Sequence, residues 1–297
     1  MNQVLSRVIA ATDFSEPAEH AAIRAAQLAQ QQGVRLHLLH SLEEGDWLQR
    51  LIDGSQGAFS RELWRRAAEV ALAQACDRVQ RAGQVAVDVQ VADGPLGVEL
   101  DRLADGDARS LVVVGAHGGH GVREALLGST ADRLLRSGRM PVLLVRNLPG
   151  NGYRRVALAT DFSSVSRQAA LLGLALTPGA DHFLFHAIQL PPDRDLAFAS
   201  RSAETLALFR GEARAYAAQG LAGFADGLGP AAAGIVRAPR EDSPARALAA
   251  FVREAQLDLV VIGTRPRARW EANLLGSTAL FAVTRLPCDV LLVPGAA

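Results

Sequence analysis

Three glycines at fixed spacing mark the segment of the chain best suited to chemistry. Gly115 and Gly118 are separated by nine residues from Gly128-Ser129-Thr130, and an apolar Leu-Val-Val-Val run precedes the first glycine. Glycine permits positive φ and close approach of the backbone to a ligand. The start of a helix adds N–H groups without helical partners and the positive end of a dipole. A strand, a glycine loop and a helix that opens with hydroxyls therefore predict a cradle for phosphate.

An acidic residue at the end of another predicted strand suits the same ligand. Asp13 follows the apolar residues of the first predicted strand, and His40 and Gly115 stand at the ends of two others. Ligands of open parallel sheets bind outside the carboxyl ends of the strands, where the strand order reverses. A carboxylate there can accept hydrogen bonds from ribose hydroxyls or from a base amino group. These residues predict a binding site at that edge.

The elements that position these residues alternate along the chain. Their apolar runs are rich in Val, Leu and Ile with little alternation, which is typical of parallel strands covered on both faces. Ser15 is the predicted N-cap of the first helix, and Gly33 and Gly138 are predicted helix stops. Alternating strands and helices predict an open, doubly wound, Rossmann-like α/β sheet. In the first half we predict strands at 4–12, 34–40, 85–91, 110–115 and 141–146, and helices at 16–32, 57–82, 95–105 and 129–137.

The sequence is duplicated with an offset of 148 residues. Residues 8–15 return as 156–163, 128–130 return as 276–278, and 142–145 return as 290–293. A length of 297 residues suits two domains of about 150. A cluster of Asn, Pro and Gly marks the junction between the copies. We therefore predict two tandem domains, 1–148 and 151–297.

Composition and charge argue against some classes of binding partner and indicate the cellular compartment. The formal net charge is zero, which argues against nucleic acid or an anionic membrane as the main partner. No apolar run approaches the ~20 residues that span a bilayer, and the apolar start is interrupted by Arg7, so we interpret it as a buried strand rather than a signal. Two cysteines, one in each half, suit a reducing compartment. We expect a cytoplasmic protein without nucleic-acid or membrane partners.

The motif residues of the first half resemble those of universal stress proteins. That family carries G-x-x-G, nine residues, then G-(S/T) after a buried strand, with a short Asp-Phe-Ser turn after its first strand. Here the pattern is complete, with glycines at 115, 118 and 128, Ser129, and the turn at 13–15. The resemblance covers essentially the whole chain, twice. It implies a parallel sheet of order 3-2-1-4-5 in each half and an adenine nucleotide as ligand, usually ATP, with AMP or ADP as alternatives and Mg²⁺ as a companion of the phosphates.

The resemblance also implies a role for individual residues. Asp13 would face the adenine or the ribose, beside Ala11 and Thr12. Ser41 would contact the base through its backbone, and Val114 would line the base pocket. The ribose and phosphates would be cradled by the glycine loop and the residues that follow it, namely Gly115, Gly118, Gly128, Ser129 and Thr130.

Several of these residues also have simpler interpretations. Asp13 could cap the turn into the first helix, a role that is compatible with ligand binding. The glycines at 115 and 118 could serve only to shape a loop. His117 and His120 spell the H-x-G-H signature of nucleotidyl-transferring enzymes, but that signature normally follows the first strand of its fold and here it follows the fourth. Two histidines without a cysteine or carboxylate at ligand spacing do not predict a metal site.

The second copy departs from the pattern at one glycine. It reads Gly263-Thr264-Arg265-Pro266, nine residues, then Gly276-Ser277-Thr278, so Pro266 stands in place of Gly118. Proline fixes φ at about −65° and has no N–H to donate. Asp161 is retained, and arginines at 265, 267 and 269 could offset the lost donor or simply form a solvated face. We expect asymmetric binding, in which the first half binds ATP and the second binds weakly, binds another ligand or only supports the assembly.

Three kinds of function fit these observations. The first is a regulatory nucleotide-binding protein of the stress response that is not an enzyme, since the chain has no G-x-x-x-x-G-K-(S/T) or S-G-G-x-D-S motif and no catalytic residue stands out. The second is a slow ATP hydrolase or nucleotidyl transferase that uses the loop from Gly115 to Thr130. The third is a scaffold without ligand. Mass spectrometry of gently purified protein would separate the first from the third.

The last strand of each half predicts how the halves associate. Residues 142–146 and 290–293 are apolar, and a bare apolar edge strand requires cover. The resemblance implies pairing of two domains through these strands. A duplicated chain can form that pair internally, as a pseudo-dimer, and two chains could associate further as a homodimer.

Overall fold

The computed structural model describes most of both halves of the chain. The described residues are 4–42, 61–104, 107, 109–116, 134, 140–190, 203–264 and 275–295. They divide into two compact units with the boundary in the linker, between Gly152 and Tyr153. The two units are built in the same way.

The first unit contains a parallel sheet in which the chain order reverses. Its described strands are β1 (Arg7–Ala11), β2 (Leu36–Ser41), β3 (Val87–Ala92), β4 (Ser110–Gly115) and β5 (Val142–Val145). They lie in the order β3-β2-β1-β4-β5. The chain therefore leaves β1 toward β2 on one side and later returns to β4 on the other side. The predicted 3-2-1-4-5 order is confirmed, and the reversal lies between β1 and β4.

Helices α1 (Glu16–Gln32), α2 (Arg61–Ala82) and α3 (Leu96–Ala104) complete the described part of this unit. The side-chain oxygen of Ser15 accepts the N–H of Ala18 and caps α1, and Gly33 ends the helix with φ 66°. These two residues explain why the predicted bounds of 16–32 are correct. The buried face of α1 consists largely of alanines, which lets the helix axis lie close to the sheet. The predicted helix at 129–137 and the predicted stop at Gly138 lie outside the described residues.

The second unit repeats this arrangement. Its elements are β6 (Arg155–Ala159), α4 (Ser164–Leu176), β7 (Asp181–Ile188), α5 (Ala203–Gly227), a short 3-10 helix (Gly229–Ala232), β8 (Val236–Glu241), α6 (Pro244–Glu254), β9 (Leu259–Thr264), α7 (Ser277–Arg285) and β10 (Asp289–Pro294). The strands lie in the order β8-β7-β6-β9-β10, which is again 3-2-1-4-5 when they are numbered from β6.

The core of each unit is formed by the central strands. Val8, Ile9, Leu111 and Val112 in the first unit have no exposed surface. Burial of each such side chain contributes about 1.5–3 kcal/mol, so these strands fix the frame on which the carboxyl edge is built. Complete burial also explains the absence of polar alternation in their sequences. No helix among the described residues is long and apolar enough to cross a membrane.

Candidate functional site

Strand register brings the predicted ligand residues of the first unit to one edge of the sheet. The pairing of β1 with β2 ends at Ala11 opposite Leu39, and the pairing of β4 with β5 ends at Gly115 opposite Val145. Neighbouring parallel strands place their carboxyl ends at the same edge. The edge at the reversal between β1 and β4 therefore gathers Ala11, Thr12, Asp13, Ser41, Val114 and Gly115. The remaining predicted residues, Gly118, Gly128, Ser129 and Thr130, lie outside the described part of the chain, as do His117 and His120.

Residues 12–15, here called the corner turn, connect β1 to α1. Thr12 Oγ1 accepts the N–H of Phe14 at 3.0 Å, and Phe14 adopts φ 65°. Asp13 Oδ1 accepts the N–H of Ser15 at 3.0 Å and also its hydroxyl. Short polar side chains that bond to the backbone two residues ahead are typical of tight turns. The sequence Thr-Asp-Phe-Ser thus forms this turn through its own side chains.

Asp13 consequently has a structural role as well as a place at the site. Its Oδ1 stabilises the turn, while the residue as a whole is exposed at the carboxyl edge. The interpretation that Asp13 caps the turn is supported by these bonds. They leave room for the ligand role, because a carboxylate has about four lone-pair positions and can accept several hydrogen bonds.

Gly115 has a packing role that the sequence did not reveal. A Cβ at this position would lie 2.7 Å from the carbonyl carbon of Pro17 and 2.8 Å from its oxygen. Gly263, its counterpart, would place a Cβ 2.9 Å from the carbonyl carbon of Val165 and from the nitrogen of Ser166. In both units the first turn of the helix after the corner turn therefore approaches the end of the central strand too closely for a side chain. The first glycine of the motif is explained by this contact, with or without a ligand.

Ser41 ends β2 with its hydroxyl already engaged. Its Oγ donates to the carbonyl oxygen of Gly94, and its backbone pairs in register with Ala92. The side chain thus ties the end of β2 to the loop after β3. With its proton donated to Gly94, the hydroxyl could only accept from a base, whereas the resemblance implies a contact through the backbone of Ser41.

His40, one of the strand-end residues that indicate the site, lies beside the corner turn, and the sequence does not predict its contacts. Its Nδ1 lies 2.8 Å from the carbonyl oxygen of Thr12, and its ring centroid lies 4.4 Å from that of Phe14. The second unit repeats both contacts, with His186 Nδ1 2.8 Å from the carbonyl oxygen of Thr160. A histidine at the end of the second strand in both halves was the available signal. Its partner could not be known, because the carbonyl belongs to a residue 28 positions away.

The rest of the corner turn is also duplicated in the second unit. Asp161 Oδ1 accepts the N–H of Ser163 at 3.0 Å, and Phe162 adopts φ 65°. One additional bond joins Thr160 Oγ1 to the buried Ser166 Oγ at 3.0 Å, where the first unit has Ala18. The corner turn therefore does not distinguish the two halves. The sequence difference at Pro266 lies outside the described residues.

In each unit an ion pair joins a helix to the end of the outer strand. Arg65 of α2 pairs with Asp93, and Arg214 of α5 pairs with Glu241. The Arg214 guanidinium lowers the pKa of the Glu241 carboxyl below its usual value. These side chains are largely accessible to solvent, so the pairs add little to stability. Their effect is to fix the position of α2 or α5 against the end of the outer strand.

A cavity of about 650 Å³ opens beside this ion pair in the second unit. It is lined by residues that follow β7 and β8, including Gln189 and Asp242, and by Arg210 of α5. Its position is toward the outer strands rather than at the reversal between β6 and β9. The described residues contain no group of three metal-ligating side chains.

Comparison with known proteins agrees with this architecture. Residues 5–146 and 152–294 each match the model of the universal stress protein family. The chain belongs to this family. It is a tandem member, since both halves match, and the resemblance carried by the glycine motif and the Asp-Phe-Ser turn is confirmed.

Individual relatives give the extent of the similarity. The chain is 34% identical over 142 residues to universal stress protein MT2087 of Mycobacterium tuberculosis, an alignment that covers 47% of each protein. It is 25% identical over 159 residues to universal stress protein MJ0577 of Methanocaldococcus jannaschii, covering 49% of this chain and 98% of that protein. The chain thus spans about half the length of the mycobacterial relative. The crystal structure of a universal stress protein from Archaeoglobus fulgidus aligns over 99% of both chains with a TM-score of 0.64 and 18% identity, which supports the fold.

Proposed function

We propose that this universal stress protein binds an adenine nucleotide in its first unit and acts as a regulator in the cytoplasmic stress response. The observation that carries the proposal is the edge at the strand reversal, where the exposed carboxylate of Asp13 follows β1 and Gly115 ends the neighbouring strand β4. Ligands of open α/β sheets bind at this position. The glycines and hydroxyls that follow in the sequence provide the residue types that bind phosphate through backbone N–H groups.

The nucleotide fits the donor and acceptor groups of this edge. The Asp13 carboxylate would accept hydrogen bonds from ribose hydroxyls or the adenine amino group, and the chain past Ser41 would border the base. ATP is the proposed ligand, with ADP and AMP as alternatives that share the same base and ribose. Mg²⁺ would enter with the phosphates.

We further propose that binding is asymmetric. The corner turns are alike, so the second unit retains a carboxylate, that of Asp161, at the position of Asp13. The chain lacks a backbone N–H at Pro266, where the first half has Gly118. The second unit would then bind phosphate more weakly, or use its cavity beside β8 for another ligand.

The proposed activity is binding rather than catalysis. A protein whose conformations differ in affinity for ATP shifts between them as the nucleotide concentration changes, and this is sufficient for regulation. Slow hydrolysis and a scaffold without ligand are the competing functions. Association of the two halves through their last strands, and of two chains as a homodimer, belongs to the same proposal.

Matched substitutions at the two corner turns test the proposal. Asp13→Asn keeps an oxygen for the N–H of Ser15 but removes the negative charge, and Asp161→Asn does the same in the second unit. Isothermal titration of the full chain with ATP should show an affinity about ten- to a hundredfold weaker for the first variant and no change for the second, because a hydrogen bond to a charged group contributes about 1.5–3 kcal/mol. Wild-type protein that binds neither ATP, ADP nor AMP would rule the proposal out.

A further inference from the structure

In both units a histidine side chain makes the next hydrogen bond beyond the last backbone bond between the first two strands. Thr12 donates its N–H to the carbonyl oxygen of Leu39 at 2.9 Å, the last described backbone bond between β1 and β2. The carbonyl of the same Thr12 then accepts from His40 Nδ1 at 2.8 Å. The second unit shows the same sequence of contacts, with Thr160 bonded to Phe185 at 2.9 Å and to His186 at 2.8 Å.

The same ring supports an unfavourable backbone conformation. Phe14 and Phe162 both adopt φ 65°, a region that bulky residues rarely occupy. Such conformations persist only where the surrounding structure holds them. The Phe14 ring packs on His40 with centroids 4.4 Å apart and planes 33° apart, and Phe162 packs on His186 at 4.2 Å and 26°. One imidazole therefore contacts the residues on both sides of Asp13.

The hydrogen bond also fixes where the imidazole proton sits. A backbone carbonyl can only accept, so Nδ1 must carry the hydrogen in both histidines. In the neutral ring Nε2 is then the unprotonated nitrogen. This tautomer is a direct consequence of the contact and can be observed separately from any ligand.

We propose that His40 is a positioning residue for the nucleotide site of the first unit. Its Nδ1–H holds the Thr12 carbonyl and its ring holds Phe14, so that the backbone of Asp13 between them has a single orientation and its carboxylate is presented at the strand reversal. Release of the carbonyl would let the peptide between Thr12 and Asp13 rotate. This inference rests on the proposed function, since positioning matters for affinity only if Asp13 meets the nucleotide.

Two substitutions separate the hydrogen bond from the ring contact. His40→Phe keeps an aromatic ring for Phe14 but removes the donor. His40→Asn loses the ring but keeps an N–H at the position that Nδ1 occupies along the side chain. His186→Phe is the matched control, because it removes the same bond in the second unit.

The readouts are the ATP dissociation constant of the full chain by titration calorimetry and the Tm without ligand. We expect His40→Phe to raise the dissociation constant about five- to tenfold, the effect of one lost hydrogen bond of about 1 kcal/mol or slightly more. His40→Asn, which keeps the donor but loses the ring contact, should raise the dissociation constant less than His40→Phe does. His186→Phe should lower Tm about as much as His40→Phe and leave the first affinity unchanged.

Specific results would overturn the inference. An unchanged affinity in His40→Phe contradicts it, and so does an equal loss in His186→Phe, which would indicate general destabilisation. The ¹⁵N shifts of the imidazoles provide a measurement that does not depend on nucleotide. Protonation at Nδ1 in both histidines supports the contact, whereas protonation at Nε2 alone refutes it. Wild-type protein that shows the Nδ1–H tautomer but binds no nucleotide would refute the proposed function and leave this contact intact.

Discussion

Gly115→Ala separates a packing role from a ligand role at the first glycine of the motif. The added Cβ would lie 2.7 Å from the carbonyl carbon of Pro17, 2.8 Å from its oxygen and 3.0 Å from the nitrogen of Ala18. Carbon contacts prefer about 3.5–4.0 Å, so the closest approach is short by roughly 0.8 Å. All three atoms belong to the backbone of the first turn of α1. The helix must therefore shift, because no flexible side chain can move aside.

Overpacking of this kind costs about 1–3 kcal/mol. In a unit of this size each kcal/mol lowers Tm by about 2–4 °C, so Gly115→Ala should lower Tm by about 2–12 °C in the absence of nucleotide. Differential scanning calorimetry measures the change. Gly263→Ala should behave alike in the second unit, since its Cβ would meet the backbone of Val165 and Ser166 at 2.9 Å.

Gly276→Ala is the matched control. It is also a motif glycine, but its Cβ would meet no heavy atom of the described residues within 4 Å and its φ of −57° suits alanine. Because Gly276 is the N-cap of α7, where alanine is less favourable than glycine, the Tm of this variant should fall by a few degrees at most. If Gly115→Ala leaves Tm unchanged and reduces only ATP affinity, the packing explanation is wrong and the glycine serves the ligand alone.

Three further predictions follow from other contacts. Ser15→Ala removes the cap of α1 and one of the two hydrogen bonds that Asp13 Oδ1 accepts from Ser15, so it should cost about 1 kcal/mol and a few degrees of Tm. Ser163→Ala, its equivalent before α4, should match it, and a neutral effect of both would show that the caps are not stabilising. The Ser6 hydroxyl and the N–H of Arg109 lower the pKa of Asp107 to about 2, so NMR titration should find this midpoint and Ser6→Ala should raise it. Because the pKa of Asp107 is lowered in the folded state, the stability that its ionised carboxylate adds is present above pH of about 4 and is lost as the pH falls toward 2. A titration midpoint of Asp107 near the usual value would refute the contact. Arg214→Ala should raise the pKa of Glu241 toward its usual value, with little change in Tm because the pair is exposed. A Glu241 midpoint that does not move would show that Arg214 is not its main partner.

Much of the fold was predictable because local signals agree with the tertiary structure. The bounds of α1 are correct because a serine cap and a left-handed glycine stand at its two ends. The start of β1 was predicted three residues too early, at Val4 rather than Arg7. Leu5 is 1% exposed yet precedes the strand, which shows that burial alone does not imply pairing in the ladder.

The gathering of candidate residues at one sheet edge was predictable, but their contacts were not. Register follows from the fold, so the gathering of Asp13 and Gly115 at one edge could be anticipated. The role of Gly115 depends on how closely α1 approaches β4, and the role of His40 depends on the carbonyl of Thr12 in the corner turn. Neither distance is encoded in local pattern or composition.

We propose that one chain holds one nucleotide, in its first half. The sharpest test is calorimetric titration of the full chain with ATP, combined with an exchange of residues at the motif position where the halves differ. Gly118→Pro places the residue of the second half in the first, and Pro266→Gly does the reverse. We expect one ATP per wild-type chain, loss of that binding in Gly118→Pro, and gain of a second site in Pro266→Gly. Two equal sites in the wild type, or unchanged binding in Gly118→Pro, would overturn asymmetric binding.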